Sequence, residues 1–194
     1  MILGLTGHSG SGKTTVAAIL SQLGFYHIDC DGIVHTRVYT DPEVHRALSR
    51  VFGPHIVKDG EIDRRALAAI VFSDDTQYGR LMDTVKPFID KAVLREIDEH
   101  RGGNVLVDAP GLFEYGMHKI CDKTLGVISD CALSRIIERD GISEDEARSR
   151  LAHQQSHGFY RENCDYIIEN NGTYDTLTQN VRALFYDITE GGLT

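Results

Sequence analysis

Apolar and polar positions follow two alternating rhythms along this chain. Ile2 to Thr6 is a short apolar run that meets glycine, the pattern of a buried strand. Val16, Leu20 and Leu23 then recur at helical spacing, and Gly24 predicts the helix stop. Phe25 to Ile28 predicts a second strand ending at Asp29-Cys30-Asp31. From about Gly32 to Arg101 the pattern is mostly helical. Asp41-Pro42 reads as an N-cap followed by proline in the first turn, Lys58-Asp59-Gly60 as a turn, and Asp63 and Ser73 as two further caps. Ile89, Val93 and Ile97 mark the apolar stripe of another helix. Strand patterns return at Val105 to Asp108, Leu125 to Ile128 and Tyr166 to Glu169. Ser143 to Glu146 forms a capping box, and Leu177, Val181, Leu184, Phe185 and Ile188 line a closing amphipathic helix.

Strands that alternate with helices predict an α/β fold, a parallel sheet with helices on both faces. The helical stretch between the second and third strands is too long for one crossover and lacks a linker's composition. It predicts an inserted helical subdomain over about residues 34–101 within a single 194-residue domain.

Gly7-His8-Ser9-Gly10-Ser11-Gly12-Lys13-Thr14 matches G-x-x-x-x-G-K-[ST] in full, between an apolar strand and a helix. Glycines let backbone N–H groups turn toward phosphate oxygens, and the helix N-terminus adds positive potential. Lys13 would reach the β- and γ-phosphates, and the Thr14 hydroxyl would ligate Mg²⁺. The dinucleotide fingerprint fits worse, because the third glycine is missing. Asp108 closes an apolar run in the manner of a Mg²⁺-holding carboxylate, although many buried strands end in Asp. Asp29 and Asp31 fit two roles from the residues alone, helix caps or carboxylates that orient an attacking hydroxyl. Glu114 fits a polar contact or an exposed surface.

Composition narrows the chemistry. Twenty basic against 29 acidic residues give a net charge of −9, which argues against a nucleic-acid binder. Against that background, Ala147 to Arg161 holds Arg148, Arg150, Arg161, His153 and His157 and no acid. Arginines there, with Arg135 and Arg139 just upstream, would close over a nucleotide as a lid; for Arg148 a solvated helix face fits better. Phe159 and Tyr160 are candidates for stacking on a base, although core packing fits Phe159 better. No apolar stretch is long enough to span a membrane, no secretory leader is expected, and four scattered cysteines predict reduced thiols in the cytoplasm.

The chain resembles the dephospho-coenzyme A kinase family. The resemblance rests on the phosphate loop, Ile28-Asp29-Cys30-Asp31, Asp59 to Arg64 before Val71-Phe72, Pro87 with Ile89, and Asp108 to Glu114. It continues through Arg139-Asp140-Gly141, Arg150 with Gln154, and Asp165 to Gly172. It implies a three-layer α/β/α P-loop NTPase fold with a helical coenzyme-binding insert and a lid over about residues 139–161. It implies transfer of the ATP γ-phosphate to the ribose 3′-hydroxyl of dephospho-coenzyme A, with Mg²⁺ held at Thr14 and Asp108. Asp31, Lys13 and Arg139 would be catalytic. Ser9, Gly10, Ser11, Gly12, Lys13, Thr14, Thr15, Arg139 and Asn170 would bind ATP. Asp29, Asp31, Arg64, Lys86, Asp108, Glu114 and Arg150 would meet the acceptor. Departures from the family pattern are Lys86 where it has His, Gly111 within the Asp108–Glu114 segment, and Tyr160 where it has Lys. Two other readings are a small-molecule kinase with a different acceptor and a guanine-nucleotide switch, though no N-K-x-D motif is present.

Overall fold

A computed structural model of the chain describes residues 1–71 and 74–190. Phe72 and the cap expected at Ser73 lie outside the described residues. In chain order the elements are β1 (Ile2–Gly7), α1 (Lys13–Gln22), β2 (Phe25–Asp29), α2 (Cys30–Ile33), α3 (Pro42–Phe52), β3 (Val57–Lys58), β4 (Glu61–Ile62), α4 (Arg64–Val71) and α5 (Asp75–Glu99). Then follow β5 (Asn104–Asp108), β6 (Lys123–Ile128), α6 (Ala132–Asp140), α7 (Glu144–Ala152), α8 (His157–Asn163), β7 (Tyr166–Glu169) and α9 (Tyr174–Glu190). The chain divides into two compact units, one of Met1–His27 with the chain from Gly102 onward, the other of Ile28–Arg101.

The first unit carries the central sheet, in the order β2-β5-β1-β6-β7. β1 runs parallel to both β5 and β6, and β6 parallel to β7. Successive strand residues face opposite sides, so β1 divides its side chains between two layers. Leu3 and Leu5, with Leu106, Leu125, Val127 and Ile168, pack against Val16, Ala17, Ile19 and Leu20 of α1 and Leu177 and Val181 of α9. Truncating one of these fully buried leucines to alanine would cost about 2–5 kcal/mol. The opposite face needs small residues. A Cβ at Gly4 would lie 2.8 Å from Cys121 Sγ, and one at Gly126 would lie 2.9 Å from Ile167 Cδ1 and 3.3 Å from Tyr160 Cβ. Helices therefore cover both faces, α1 and α9 on one and α8 on the other. Among the described residues no helix is long and apolar enough to cross a membrane.

The second unit is helical apart from β3 and β4, two-residue strands that the apolar pattern did not reveal. They pair antiparallel around the expected turn at Asp59-Gly60. Asp41 caps α3 by accepting from Glu43 N at 2.7 Å, and Asp63 caps α4 through Ala66 N at 2.9 Å. α5 is capped by Asp74, which accepts from Thr76 N at 2.8 Å. The Ile89, Val93 and Ile97 stripe on α5 is buried. A π-helical turn, Val34–Val38, extends α2, and Arg37 in it pairs with the buried Glu96.

Candidate active site

β1 delivers the chain into the glycine-rich loop, and α1 begins at Lys13. Gly12 has φ +93°, a left-handed value, and a Cβ there would strike the Asn170 carboxamide. Both constraints demand glycine. Thr15 N and Val16 N donate to the Gly12 carbonyl at 3.0 and 3.1 Å, which starts the helix. The N–H groups of the first helical turn have no intrahelical acceptor, so positive potential collects at this end.

The loop is braced from outside. Asn170 Nδ2 donates to the Ser11 carbonyl at 2.8 Å, and Arg135 Nη1 donates to the Gly10 carbonyl at 3.3 Å. Arg135 Nη2 also donates to the Asn170 carbonyl at 3.0 Å. The Ser11 carbonyl and the Gly12 N–H lie on opposite sides of one trans peptide. Holding the carbonyl outward therefore turns that N–H into the loop, as an anion cradle requires. Asn170, expected among ATP contacts, and Arg135, expected in a lid, are here the groups that shape the loop.

Lys13 Nζ forms an ion pair with Asp108 Oδ1, and His27 Nε2 lies 3.1 Å from Asp108 Oδ2. Burial alone would raise the Asp108 carboxyl. The His27 hydrogen bond and the Lys13 ammonium outweigh it and hold the group below its usual range. Asp108 is thus an ionised oxygen donor at the end of β5. Thr14, in the first turn of α1, is exposed. A hydroxyl and one carboxylate are the hard oxygen donors that suit Mg²⁺, which takes few protein ligands beside phosphate and water. Among the described residues no three His, Cys, Asp or Glu side chains form a metal cage.

The arginine segment makes a second cluster. Asp140 accepts from Arg139 Nε at 2.7 Å and from Arg139 Nη2 at 2.9 Å, and it also pairs with Arg150. The two guanidinium groups, Arg139 first, hold its carboxyl well below the usual range. Arg139 Nη2 also reaches Ser9 Oγ, at 3.4 Å. Arg139, Arg150 and Ser9 are therefore brought together at the loop. Both bonds of the predicted capping box, Ser143 N to Glu146 Oε2 at 2.9 Å and Glu146 N to Ser143 Oγ at 3.3 Å, start α7. Arg148 pairs along α7 with Glu144 at 2.5 Å, on an exposed face. Glu114 accepts from Gln155 Nε2 at 3.1 Å.

A family model described as dephospho-CoA kinase matches residues 1–176. The chain belongs to the dephospho-CoA kinase family. A dephospho-CoA kinase from Geobacillus kaustophilus is 36% identical over 190 residues, 95% of this chain and 94% of its own. The structure of a dephospho-CoA kinase from Campylobacter jejuni matches with a TM-score of 0.74 at 25% identity, covering 99% of this chain and 98% of its own. A crystal structure from Thermus thermophilus matches with a TM-score of 0.83 at 32% identity, covering 97% and 98%.

The remaining expected site residues of this dephospho-CoA kinase family member lie in the second unit. Asp29 ends β2 and precedes α2, and Asp31 lies in the first turn of α2. Asp29 stands at the N-cap of α2 with no side-chain hydrogen bond to the helix. Arg64 lies over the Tyr39 ring, 6.0 Å from its centroid, and Lys86 pairs with Asp90 at 2.5 Å.

One expectation is corrected. Tyr160 is buried, 3% exposed, with α8 packed on β6, and its ring has no open face for a base. Phe159 is half-buried and packs edge-on against Phe113 and Tyr160, the packing role that fitted it better. All four cysteines are free, and burial pushes the Cys121 and Cys164 thiols up to about 12. Sequence reasoning missed His27 and His8. His27 occupies a strand position two residues before Asp29, and His8 a variable position of the loop motif, and neither carries a periodic or motif signal.

Proposed function

We propose that this chain transfers the γ-phosphate of ATP to the ribose 3′-hydroxyl of dephospho-coenzyme A, the last step of coenzyme A biosynthesis, in the cytoplasm. The observation that carries the reading is a complete phosphate cradle, with Lys13 beside an ionised Asp108, in a chain matched by the family model over residues 1–176. Backbone N–H groups of the loop, that of Gly12 among them, bind the triphosphate. Lys13 exchanges Asp108 for the β- and γ-oxygens and neutralises charge on the transferring group. Arg139 bridges from Ser9 to the γ-phosphate, and Arg150 supports it from the acceptor side. Asn170 keeps the loop open for ATP through its bond to Ser11.

Thr14 and Asp108 would hold Mg²⁺, whose charge offsets the negative charge of the β- and γ-phosphates. Asp31 orients the 3′-hydroxyl and accepts its proton, and Asp29, Arg64, Lys86 and Glu114 bind the rest of the acceptor. Neither nucleic acid nor a membrane surface takes part.

A coupled assay for ADP over a panel of acceptors tests the reading. ADP should form only with dephospho-coenzyme A. Equal turnover without it, or selective turnover with a nucleoside or shikimate, contradicts the proposal. Asp31→Asn should keep ATP binding and lose about a hundredfold in turnover. Turnover near wild type would remove Asp31 from this role.

A further inference from the structure

The His8 and His157 rings meet edge to edge, with centroids 4.9 Å apart and planes 20° from parallel. Their Nε2 atoms lie 2.9 Å apart. The backbone N–H of Ser129 points at the same His8 Nε2, at 3.2 Å. A backbone N–H can only donate, so His8 Nε2 is an acceptor and the ring proton sits on Nδ1. That Nδ1 lies 3.0 Å from the Ser9 carbonyl and donates to it. His157 Nε2 must then be the donor of the imidazole pair, which leaves its Nδ1 toward Asp130 Oδ1 at 3.6 Å. From the same α7–α8 connection, Gln154 Oε1 accepts from Ser9 N at 2.7 Å. Both backbone polar groups of Ser9 are thus held, and its hydroxyl meets Arg139. A cavity of about 520 Å³, lined in part by His8, Ser129, Asp130, Gln154 and His157, opens beside the pair and gives water access to it.

We propose that His157 is a positioning residue for ATP, acting through His8 to hold the phosphate loop at Ser9, and that His8 gives up its Ser129 bond when it takes up a second proton. The inference rests on the ATP-kinase reading above. A proton on His8 Nε2 would face the Ser129 N–H, which can only donate, and that hydrogen bond would be lost; the His157 bond would reverse, with the His157 proton moved to Nδ1 toward Asp130. The titratable groups facing His8 are His157 and Tyr160 on α8 and Asp130 in the turn before α6. Burial pushes the His8 imidazole below its usual range, and the bond to the Ser9 carbonyl opposes this only in part. The folded state then binds fewer protons than the unfolded chain just below the ordinary imidazole value. The Ser129 bond is intact at neutral pH and is lost as pH falls through the lowered value. A proton on His157 instead keeps its Nε2–H in place and adds a donor toward Asp130.

The test is calorimetric ATP binding by the full chain, with steady-state kinetics alongside, between about pH 5 and 8. Wild type, His157→Phe, His157→Gln and His8→Asn are compared. Phe keeps an aromatic ring without the donor, and ATP affinity should fall about tenfold while KM for dephospho-coenzyme A stays within about twofold. Gln restores a donor and should return affinity to within about threefold of wild type. His8→Asn should abolish the acid limb that wild type shows in ATP binding. Wild-type affinity in His157→Phe, no recovery with Gln, or an unchanged acid limb in His8→Asn each overturns the proposal. Should the Phe variant fail to fold, the Gln and Asn variants decide. Normal ATP binding without acceptor-dependent ADP formation would instead contradict the kinase reading and leave the couple's effect on ATP affinity measurable.

Discussion

Two cation–carboxylate clusters stand at the phosphate loop, and the chain builds them differently. Lys13 and Asp108 are set by α1 and β5, and their side chains are 17% and 7% exposed. Arg139 and Arg150 meet Asp140 between α6 and α7, and the arginines are 58% and 43% exposed. The first pair is fixed by the sheet and works where water is scarce, so its field is strong and needs little reorganisation. The second is held by long side chains in water, where salt screens it and rotamer freedom weakens it. In the proposed reaction the rigid cradle would carry the charge and the softer clamp would complete it.

The comparison breaks first if Lys13 is not dominant. Lys13→Ala should lower kcat at least about a thousandfold, the scale of losing a cation on a transferring phosphoryl group, and initial-rate ADP assays measure it. Arg139→Ala should cost less, about tenfold to hundredfold in kcat/KM for ATP, with a loss that shrinks as salt is raised. If Arg139→Ala proves as severe as Lys13→Ala and insensitive to salt, the two clusters do not differ as described.

Stability separates the pairs as well. The Asp108 carboxyl is lowered in the fold, so its contribution is full above the ordinary carboxylate value and is lost as pH falls through the lower folded value. Urea unfolding should show wild type about 2 kcal/mol more stable than Asp108→Asn at neutral pH, with the curves converging in acid. The smallest effect belongs to Arg148, whose partner Glu144 lies one turn away on an exposed face. Arg148→Ala should leave turnover and unfolding within about twofold of wild type, and a larger loss would extend the clamp to α7's outer face.

The parts legible in the sequence are local ones. The loop motif, the caps at Asp41 and Asp63, the capping box at Ser143 and the last strand each depend on residues a few positions apart, and each forms as its spacing predicts. The site's side-chain pairings are not local. His27 meets Asp108 across 81 positions, and His8 meets His157 across 149. Strand order brings the first pair together and the packing of α8 on β6 the second, and no periodicity encodes which imidazole will face which partner. Strands β3 and β4 are too short for an alternation to register. Tyr160 reads as a free aromatic in a basic segment until Gly126, by lacking a side chain, lets α8 settle onto β6 and bury it.

The most direct measurement is the product balance of the reaction run to completion with ATP, Mg²⁺ and dephospho-coenzyme A, with phosphorus NMR locating the new phosphate. One phosphomonoester on the ribose 3′-oxygen is expected for each ADP formed. ADP released without that product, or phosphate found on another oxygen, would contradict it.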